Sequence, residues 1–204
     1  MGLCNSHAIF QEKMSELFVG INTVRVYIDE LLHVTKGSRT EHFTVLEEMF
    51  TYLQKAGLKV NASKSCFGAH KVDYLVYHVT RDGFMPIPKK VKAIQALAVP
   101  KTRKQLRQFI GMINFYRDMW QKHYELLAPL TALTSQNVKY DWKDEHQKCF
   151  DVIKRVIGRE VLLDYPDFNA PFEIHTDASK LQIGAVIPQK GKPVAFYSQK
   201  TNSA

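Results

Sequence analysis

Two acidic residues stand side by side inside an otherwise apolar, β-prone run, Val24 to Leu32, which reads VRVYIDELL. A buried carboxylate is costly unless something pairs with it, and neighbouring acids repel. Asp29 and Glu30 therefore belong either at a solvated turn or around a cation. Hard ions such as Mg2+ take oxygen ligands, often one or two carboxylates plus substrate phosphates. Two-ion phosphoryl chemistry also needs a carboxylate from another element, because one bend cannot clamp two ions. Taken alone, the four residues YIDE fit both readings.

A second constellation is basic. Between Pro86 and Arg107 lie Lys89, Lys90, Lys92, Lys101, Arg103, Lys104 and Arg107, with no acid among them. Such a run either faces phosphates, each adding about one released counterion to the salt dependence of binding, or is a solvated face. Phe109, Phe115, Tyr116 and Trp120 follow at helical spacing, which marks them as core residues that anchor the segment. Asp177, in TDAS, is a turn or cap residue by its local chemistry. Asp141, Asp144 and Glu145 read as acids at a helix N-terminus. His33, His42, His70, His123 and His146 lack metal-ligand spacing and read as surface or packing residues.

The chain behind these residues has 204 positions, 28 Lys and Arg against 20 Asp and Glu, and a net charge of +8. That excess favours a polyanionic partner or an anionic membrane surface. A composition 45% hydrophobic and 24% charged excludes wholesale disorder. Cys4, Cys66 and Cys149 are far apart and form no C-x-x-C pair, so a disulfide framework and a zinc finger are excluded, and a reducing, intracellular setting is expected. No apolar run reaches transmembrane length, and no signal-peptide pattern opens the sequence.

Periodicity supplies the elements that must position the candidates. Residues 5–18 predict a helix with Ile9, Phe10, Met14, Leu17 and Phe18 on its apolar side. VRVYIDELLHV predicts a hairpin with the acids near its bend. SRTEHFTVLEEMFTYLQKAG predicts a helix that opens with a Ser38–Glu41 capping box, buries Phe43, Leu46, Phe50 and Leu53, and ends at Gly57. LKVN, CFG and VDYLVYHVT read as short strands, and Asp82–Gly83 turns the chain into FMPI. Helices follow from Pro86 to Trp120, with a second capping box at Thr102–Gln105, around Leu126 to Leu133, and from Asp144 to Ile157 before Gly158. FEIHTDAS and IGAVIPQKGKPVAFYSQ then read as strands, the last two joined by Lys-Gly-Lys.

Read in order, these pieces resemble the reverse transcriptase of gypsy-type LTR retrotransposons. The resemblance rests on GLCNSHAIFQEKM (Gly2 to Met14), VYIDELL, LQKAGLKVNASKSCF, VDYLVYHVTRDGFMPIPKKVKAI and VPKTRKQLRQFIGMINFYR. PDFNAPFEIHTDASKLQIGAV is similar to the start of the ribonuclease H domain that follows in such polyproteins. The resemblance covers essentially the whole chain. It implies that Asp29 is a metal ligand, that Glu30 stands at the second Asp of Y-x-D-D, and that Tyr27 lies beside the growing end. Asn5, Phe10 and Gln11 fall in the motif behind nucleotide and template. Lys64 matches a lysine associated with the leaving pyrophosphate, and Asp177 matches the first ribonuclease H carboxylate. The implied cofactor is Mg2+ or Mn2+; the implied partners are an RNA or DNA primer–template duplex and deoxynucleoside triphosphates.

Three departures matter. Glu30 adds one methylene to the second acid, His7 replaces a proline, and Val76–Tyr77 replace Leu-Gly before His78. A tyrosine there is expected to obstruct the close backbone approach that glycine allows. The resemblance also sets the expected architecture, an α/β (α+β) chain truncated at both ends. Residues 1–85 are expected to be the C-terminal part of a polymerase palm, 86–158 the thumb and connection helices, and 159–204 the first strands of a ribonuclease H-like domain. The other catalytic Asp and the fingers are expected before Gly2, and further ribonuclease H acids beyond Ala204, in missing Pol segments or a second subunit. The expected activity is RNA-directed DNA polymerisation by the parent protein, weak or absent in this chain alone. The alternatives are a host-recruited, non-catalytic nucleic-acid-binding module, or a working polymerase whose N-terminal part is encoded upstream.

Overall fold

The computed structural model describes residues 4–159, 162–179 and 182–201. They form two compact units, residues 1–70 and residues 71–204. Gly2, the first residue of the first motif, lies outside the described residues.

In the first unit, helix α1 (Ser6–Leu17) precedes a hairpin of β1 (Val24–Tyr27) and β2 (Glu30–His33), and helix α2 (Arg39–Lys55) follows. The hairpin pairs antiparallel with Tyr27 opposite Glu30, which leaves Ile28 and Asp29 as a two-residue turn. Side chains alternate between faces along a strand. Val24, Val26 and Leu31 face a small core with Met14, Phe18, Met49 and Leu53. Helix α2 begins with the expected reciprocal cap: Ser38 Oγ accepts from the Glu41 amide at 3.2 Å, and the Glu41 carboxylate accepts from the Ser38 amide at 2.7 Å. It ends as a Schellman motif, in which Gly57 at φ +70° donates to the Gln54 carbonyl and Leu58 to that of Leu53.

Some expected details differ. Ile9 is 57% exposed, so α1 buries Met14 and Phe18 rather than a stripe along its whole length. In α2 the stripe against the core is Leu46, Met49 and Leu53, while Phe43 and Phe50 are exposed. LKVN and CFG form no strands. The Asn61 carbonyl accepts from the Lys64 amide and the Ser65 hydroxyl, which closes a 3-10 turn over Ala62–Lys64 where a ladder would have run.

The second unit opens with the antiparallel sheet β3 (Lys71–Tyr74), β4 (Tyr77–Thr80) and β5 (Gly83–Pro86). Helices α3 (Pro88–Gln95), α4 (Arg103–Asn114), α5 (His123–Ala132) and α6 (Asp144–Ile157) follow, and then the antiparallel sheet β6 (His175–Ala178), β7 (Gln182–Gln189) and β8 (Lys192–Lys200). Leu106, Phe109, Ile113, Leu130, Phe150 and Ile153 are its most deeply buried side chains. Tyr77 and Phe84 from the first sheet, and Leu163 and Phe196 from the later segment, join that same cluster. The expected divisions at 85/86 and 158/159 therefore both fall inside one compact unit, because one core draws on residues from either side of each.

The second cap is only partly as expected. Thr102 Oγ accepts from the Gln105 amide at 3.2 Å, but the Gln105 side chain reaches one residue further back, to the Lys101 amide at 2.8 Å. Lys190 at φ +52° and Gly191 at φ +77° make the β7–β8 turn, the left-handed pair that a two-residue hairpin prefers. The mixture of helices and antiparallel sheets agrees with the α+β class.

Candidate metal and nucleic-acid site

The acidic doublet sits where a two-residue turn must reverse the chain. Ile28 occupies the first turn position at φ +52°, a conformation that costs a β-branched residue about 1–2 kcal/mol. Asp29 is the second turn residue and Glu30 opens β2; both are exposed. Because paired residues share a face, Glu30 lies on the same side of the hairpin as Tyr27, Arg25 and Leu32, opposite the side that enters the core. Tyr27 is half-exposed on that open face. Neither carboxylate has a hydrogen bond or ion pair among the described residues, so their oxygens are available to water or to a cation.

Gln11, on α1, holds this bend. Its Oε1 accepts from the Ile28 amide at 2.6 Å, and its Nε2 donates to the Val26 carbonyl at 3.3 Å and to Ser15 Oγ at 3.0 Å. Asn5 is the N-cap residue of α1 by position, though its side chain makes no capping bond, and Phe10 is partly exposed. Lys64 ends the 3-10 turn and is exposed. Asn5, Phe10, Gln11, Tyr27, Asp29, Glu30 and Lys64 thus share the first unit.

Two unpartnered carboxylates on an exposed bend are the donor chemistry that Mg2+ and Mn2+ take, so the doublet fits part of a hard-cation site. Among the described residues no three His, Cys, Asp or Glu side chains form a group able to hold a metal ion. Asp177 belongs to the second unit, on the exposed strand β6, opposite Gly184.

The basic segment divides by geometry. Lys89, Lys90 and Lys92 on α3, Lys101 before α4 and Lys104 on α4 are exposed, and their ammonium groups have no partner among the described residues. Arg103 and Arg107 are engaged. Arg103 donates to the carbonyls of Leu133 at 3.3 Å and Val138 at 2.5 Å, and Arg107 to that of Thr134 at 2.7 Å. These carbonyls lie at and beyond the end of α5, where helix acceptors lack intrahelical donors and cations are favoured. Of the aromatic anchors, Phe109, Tyr116 and Trp120 are buried, while Phe115 is 53% exposed because it falls one residue off the buried stripe.

Tyr77 does not stand at a turn. The β3–β4 turn is Leu75–Val76, and it is Leu75 that adopts φ +55°. The Tyr77 ring meets Phe84 and Tyr116 edge-on, and burial raises its hydroxyl pKa. His78 pairs across the ladder with Asp73 at 2.6 Å, and His146 is buried at the start of α6, where its Nδ1 accepts from the Lys143 amide.

Sequence reasoning passed over two glutamines. Gln182 Oε1 accepts from the Glu125 amide and from Ser198 Oγ, tying β7 and β8 to the start of α5. Gln189 donates to the Asp167 carbonyl at 3.0 Å and accepts from the Asp167 amide at 2.8 Å. Both are buried, and their only sequence signal is a polar residue at each end of an apolar strand.

Residues 1–79 match the family model of reverse transcriptase (RNA-dependent DNA polymerase), and residues 142–204 match the RNase H-like domain found in reverse transcriptase. The chain therefore belongs to the reverse transcriptases. More narrowly, it corresponds to the reverse transcriptase and RNase H-like segment of a retroelement Pol polyprotein of the LTR type. The retrovirus-related Pol polyprotein from transposon 297 of Drosophila melanogaster is 34% identical over 98% of this chain, and the transposon Tf2-3 polyprotein of Schizosaccharomyces pombe is 31% identical over 87% of it. The chain spans 19% and 14% of those relatives, respectively. A structure of the foamy viral protease-reverse transcriptase with dsDNA superposes with a TM-score of 0.88 at 27% identity, covering 99% of this chain and 43% of that one. Another, in complex with an RNA/DNA hybrid, gives 0.88 at 26% identity, covering 99% of this chain and 28% of that one. Among the described residues no helix is long and apolar enough to cross a membrane.

Proposed function

We propose that the Ile28–Asp29 bend presents the carboxylates of Asp29 and Glu30 to Mg2+ or Mn2+ during templated DNA synthesis, and that the lysines of α3 and α4 hold the phosphates of a primer–template duplex. The observation that carries this reading is the turn itself. A strained two-residue reversal exposes two adjacent carboxylates with no protein partner among the described residues, on a hairpin whose opposite face is buried. The bound ions would stabilise the attacking and leaving oxygens of an in-line displacement at the α-phosphate. Asp29 supplies a direct ligand, Glu30 a longer and more compliant one, and Tyr27 lines the open face beside the primer end. Lys64 is assigned to the leaving pyrophosphate, and Asp177 to the ribonuclease H centre of the parent protein.

Two carboxylates leave most of a hard cation's coordination shell to water, so ion binding by this chain is weak and so is its polymerisation. The parent element is assigned to the gypsy group, acting inside the cell on RNA and DNA templates with deoxynucleoside triphosphates. Primer extension on an RNA template, with Mg2+ or Mn2+, tests the assignment. Slow extension that disappears in Asp29→Ala is the expected result; extension indifferent to Asp29→Ala removes the bend from the metal site.

A second reading, a binding module without catalysis, is favoured by one observation: the five lysine ammonium groups are exposed and unpaired among the described residues. It expects hybrid binding that survives Asp29→Ala while no extension occurs under any ion.

A further inference from the structure

We propose that Gln11 is a positioning residue for the acidic bend: its side-chain amide bonds the outer edge of β1 as a neighbouring strand would and holds Ile28 in the left-handed conformation that presents Asp29. The proposal rests on the metal reading of that bend, and it specifies what fixes the geometry.

In a two-residue hairpin the Tyr27–Glu30 pair exchanges its backbone bonds across the strands, so the next groups outward on β1, the Val26 carbonyl and the Ile28 amide, face away from β2. They lie on the same edge, two residues apart, in the pattern that the N–H and C=O of one residue of a parallel neighbour satisfy. Among the described residues the hairpin's sheet contains only β1 and β2. The Gln11 carboxamide presents its C=O and the N–H syn to it on one side, as a single residue of a neighbouring strand would, and fills both positions, at 3.3 and 2.6 Å. Its second amide hydrogen goes to Ser15 Oγ at 3.0 Å, one helical turn on, which fixes the rotamer.

The consequence falls on Ile28. A β-branched residue at φ +52° relaxes towards negative φ unless its neighbours hold it, and that rotation would re-aim the peptide joining it to Asp29. The helix next to the hairpin supplies the hold through one side chain. Asparagine is too short to reach, and methionine has the length but neither bond.

The test uses the whole chain labelled for NMR, with Mn2+ as the probe ion. In the unmodified protein a through-bond coupling between the Ile28 nitrogen and the Gln11 side-chain carbonyl carbon is expected, and its absence overturns the clamp without any variant. In Gln11→Met the Ile28 amide exchanges with solvent about 5–10-fold faster, and Mn2+ broadening of the Asp29 and Glu30 signals needs several-fold more ion. Gln11→Glu, which keeps the acceptor, restores Ile28 protection. Met14→Ala serves as the control: it lowers the unfolding temperature of the same unit and leaves the Mn2+ titration unchanged. If Gln11→Met alters neither exchange nor titration, or if Met14→Ala moves the titration equally, the positioning role is wrong. If the unmodified chain shows no Mn2+ effect that Asp29→Asn removes, the metal reading fails, and the coupling and exchange measurements still decide the clamp.

Discussion

The Tyr165 hydroxyl donates to the carbonyl of Thr80 at 2.8 Å, across 85 residues of sequence, and lies 3.2 Å from the Gly83 carbonyl. Beside it, Phe84 and Leu163 exchange backbone bonds at 2.9 and 3.0 Å, so the segment leading to the RNase H-like strands meets β5 in a single antiparallel bridge. Gly83 makes this approach possible. A Cβ there would stand 2.2 Å from the Leu163 carbonyl oxygen, and its φ of +142° excludes most side chains. Gly83→Ala is expected to strip hydrogen-exchange protection from the Phe84 and Leu163 amides while α4 and α6 keep theirs. Tyr165→Phe, which removes one bond, should cost about 1 kcal/mol at the same amides. Equal protection in both variants and in the parent would mean that the linker does not depend on this contact.

Ile28 offers a prediction of opposite sign. Glycine adopts φ +52° freely, so Ile28→Gly should relieve about 1 kcal/mol of turn strain and raise the denaturant midpoint of the first unit. The side chain at 28 is half-buried, which offsets part of that gain. The slope of the transition should stay unchanged, since little surface is involved. A lowered midpoint would show that Ile28 contributes more by packing than it costs in backbone conformation.

The contrast between these two turns explains how much of the molecule was legible in its sequence. Ser38–Glu41, Gly57 and Lys190–Gly191 announce themselves because each uses a residue whose local chemistry fits the turn or cap it makes. The expected Asp82–Gly83 turn falls one residue earlier, at Arg81–Asp82, with Gly83 paired to Thr80 in β5. Ile28 and Leu75 adopt the same left-handed conformation with side chains that disfavour it, so no propensity points to them; for Ile28 the Gln11 side chain supplies the hold. Arg103 and Arg107 were hidden for a related reason. As sequence they are indistinguishable from Lys101 and Lys104, and only the arrival of the α5 terminus beside them separates a structural guanidinium from an exposed ammonium. The acidic bend was readable as a place; its clamp was not, because Gln11 lies 17 residues from Ile28 on another element.

His123 carries a pH prediction. Buried between Trp120 and the helices, it has its pKa lowered from 6.5 to about 4, chiefly by desolvation and then by Arg117, with Asp118 and a bond to the Ile113 backbone opposing. Its Nε2 is buried with no partner among the described residues. Since the folded-state pKa lies below the unfolded one, both states are neutral above pH 6.5 and nothing is lost there. Between 6.5 and about 4 the unfolded chain takes up a proton that the folded one refuses, so stability falls with acidification by on the order of 2–3 kcal/mol. His123→Gln should flatten the stability profile of the second unit by about one proton across that window. An unchanged slope would mean that His123 is charged in the folded protein, or that the unfolded chain shares its low pKa.

The division of the basic segment makes the sharpest separation between binding and folding. If phosphates are held by the exposed ammonium groups, replacing Lys89, Lys90, Lys92, Lys101 and Lys104 with alanine should abolish most affinity for an RNA–DNA hybrid at low salt. It should also reduce the salt slope by about 0.9 for each phosphate that is no longer neutralised, with little change in unfolding. Arg107→Ala should do the reverse. It removes the donor of an exposed bond to the Thr134 carbonyl, which water can replace, and costs about 0.5–1.5 kcal/mol of stability, yet it should leave the salt slope close to that of the parent. Arg103→Ala should act likewise through Leu133 and Val138. Fluorescence anisotropy across a salt series, beside thermal unfolding of the same samples, reads both quantities. Should the arginine variants lower the salt slope as steeply as the lysine set, the guanidinium groups leave α5 when a duplex binds, and the duplex rather than the helix end becomes their partner.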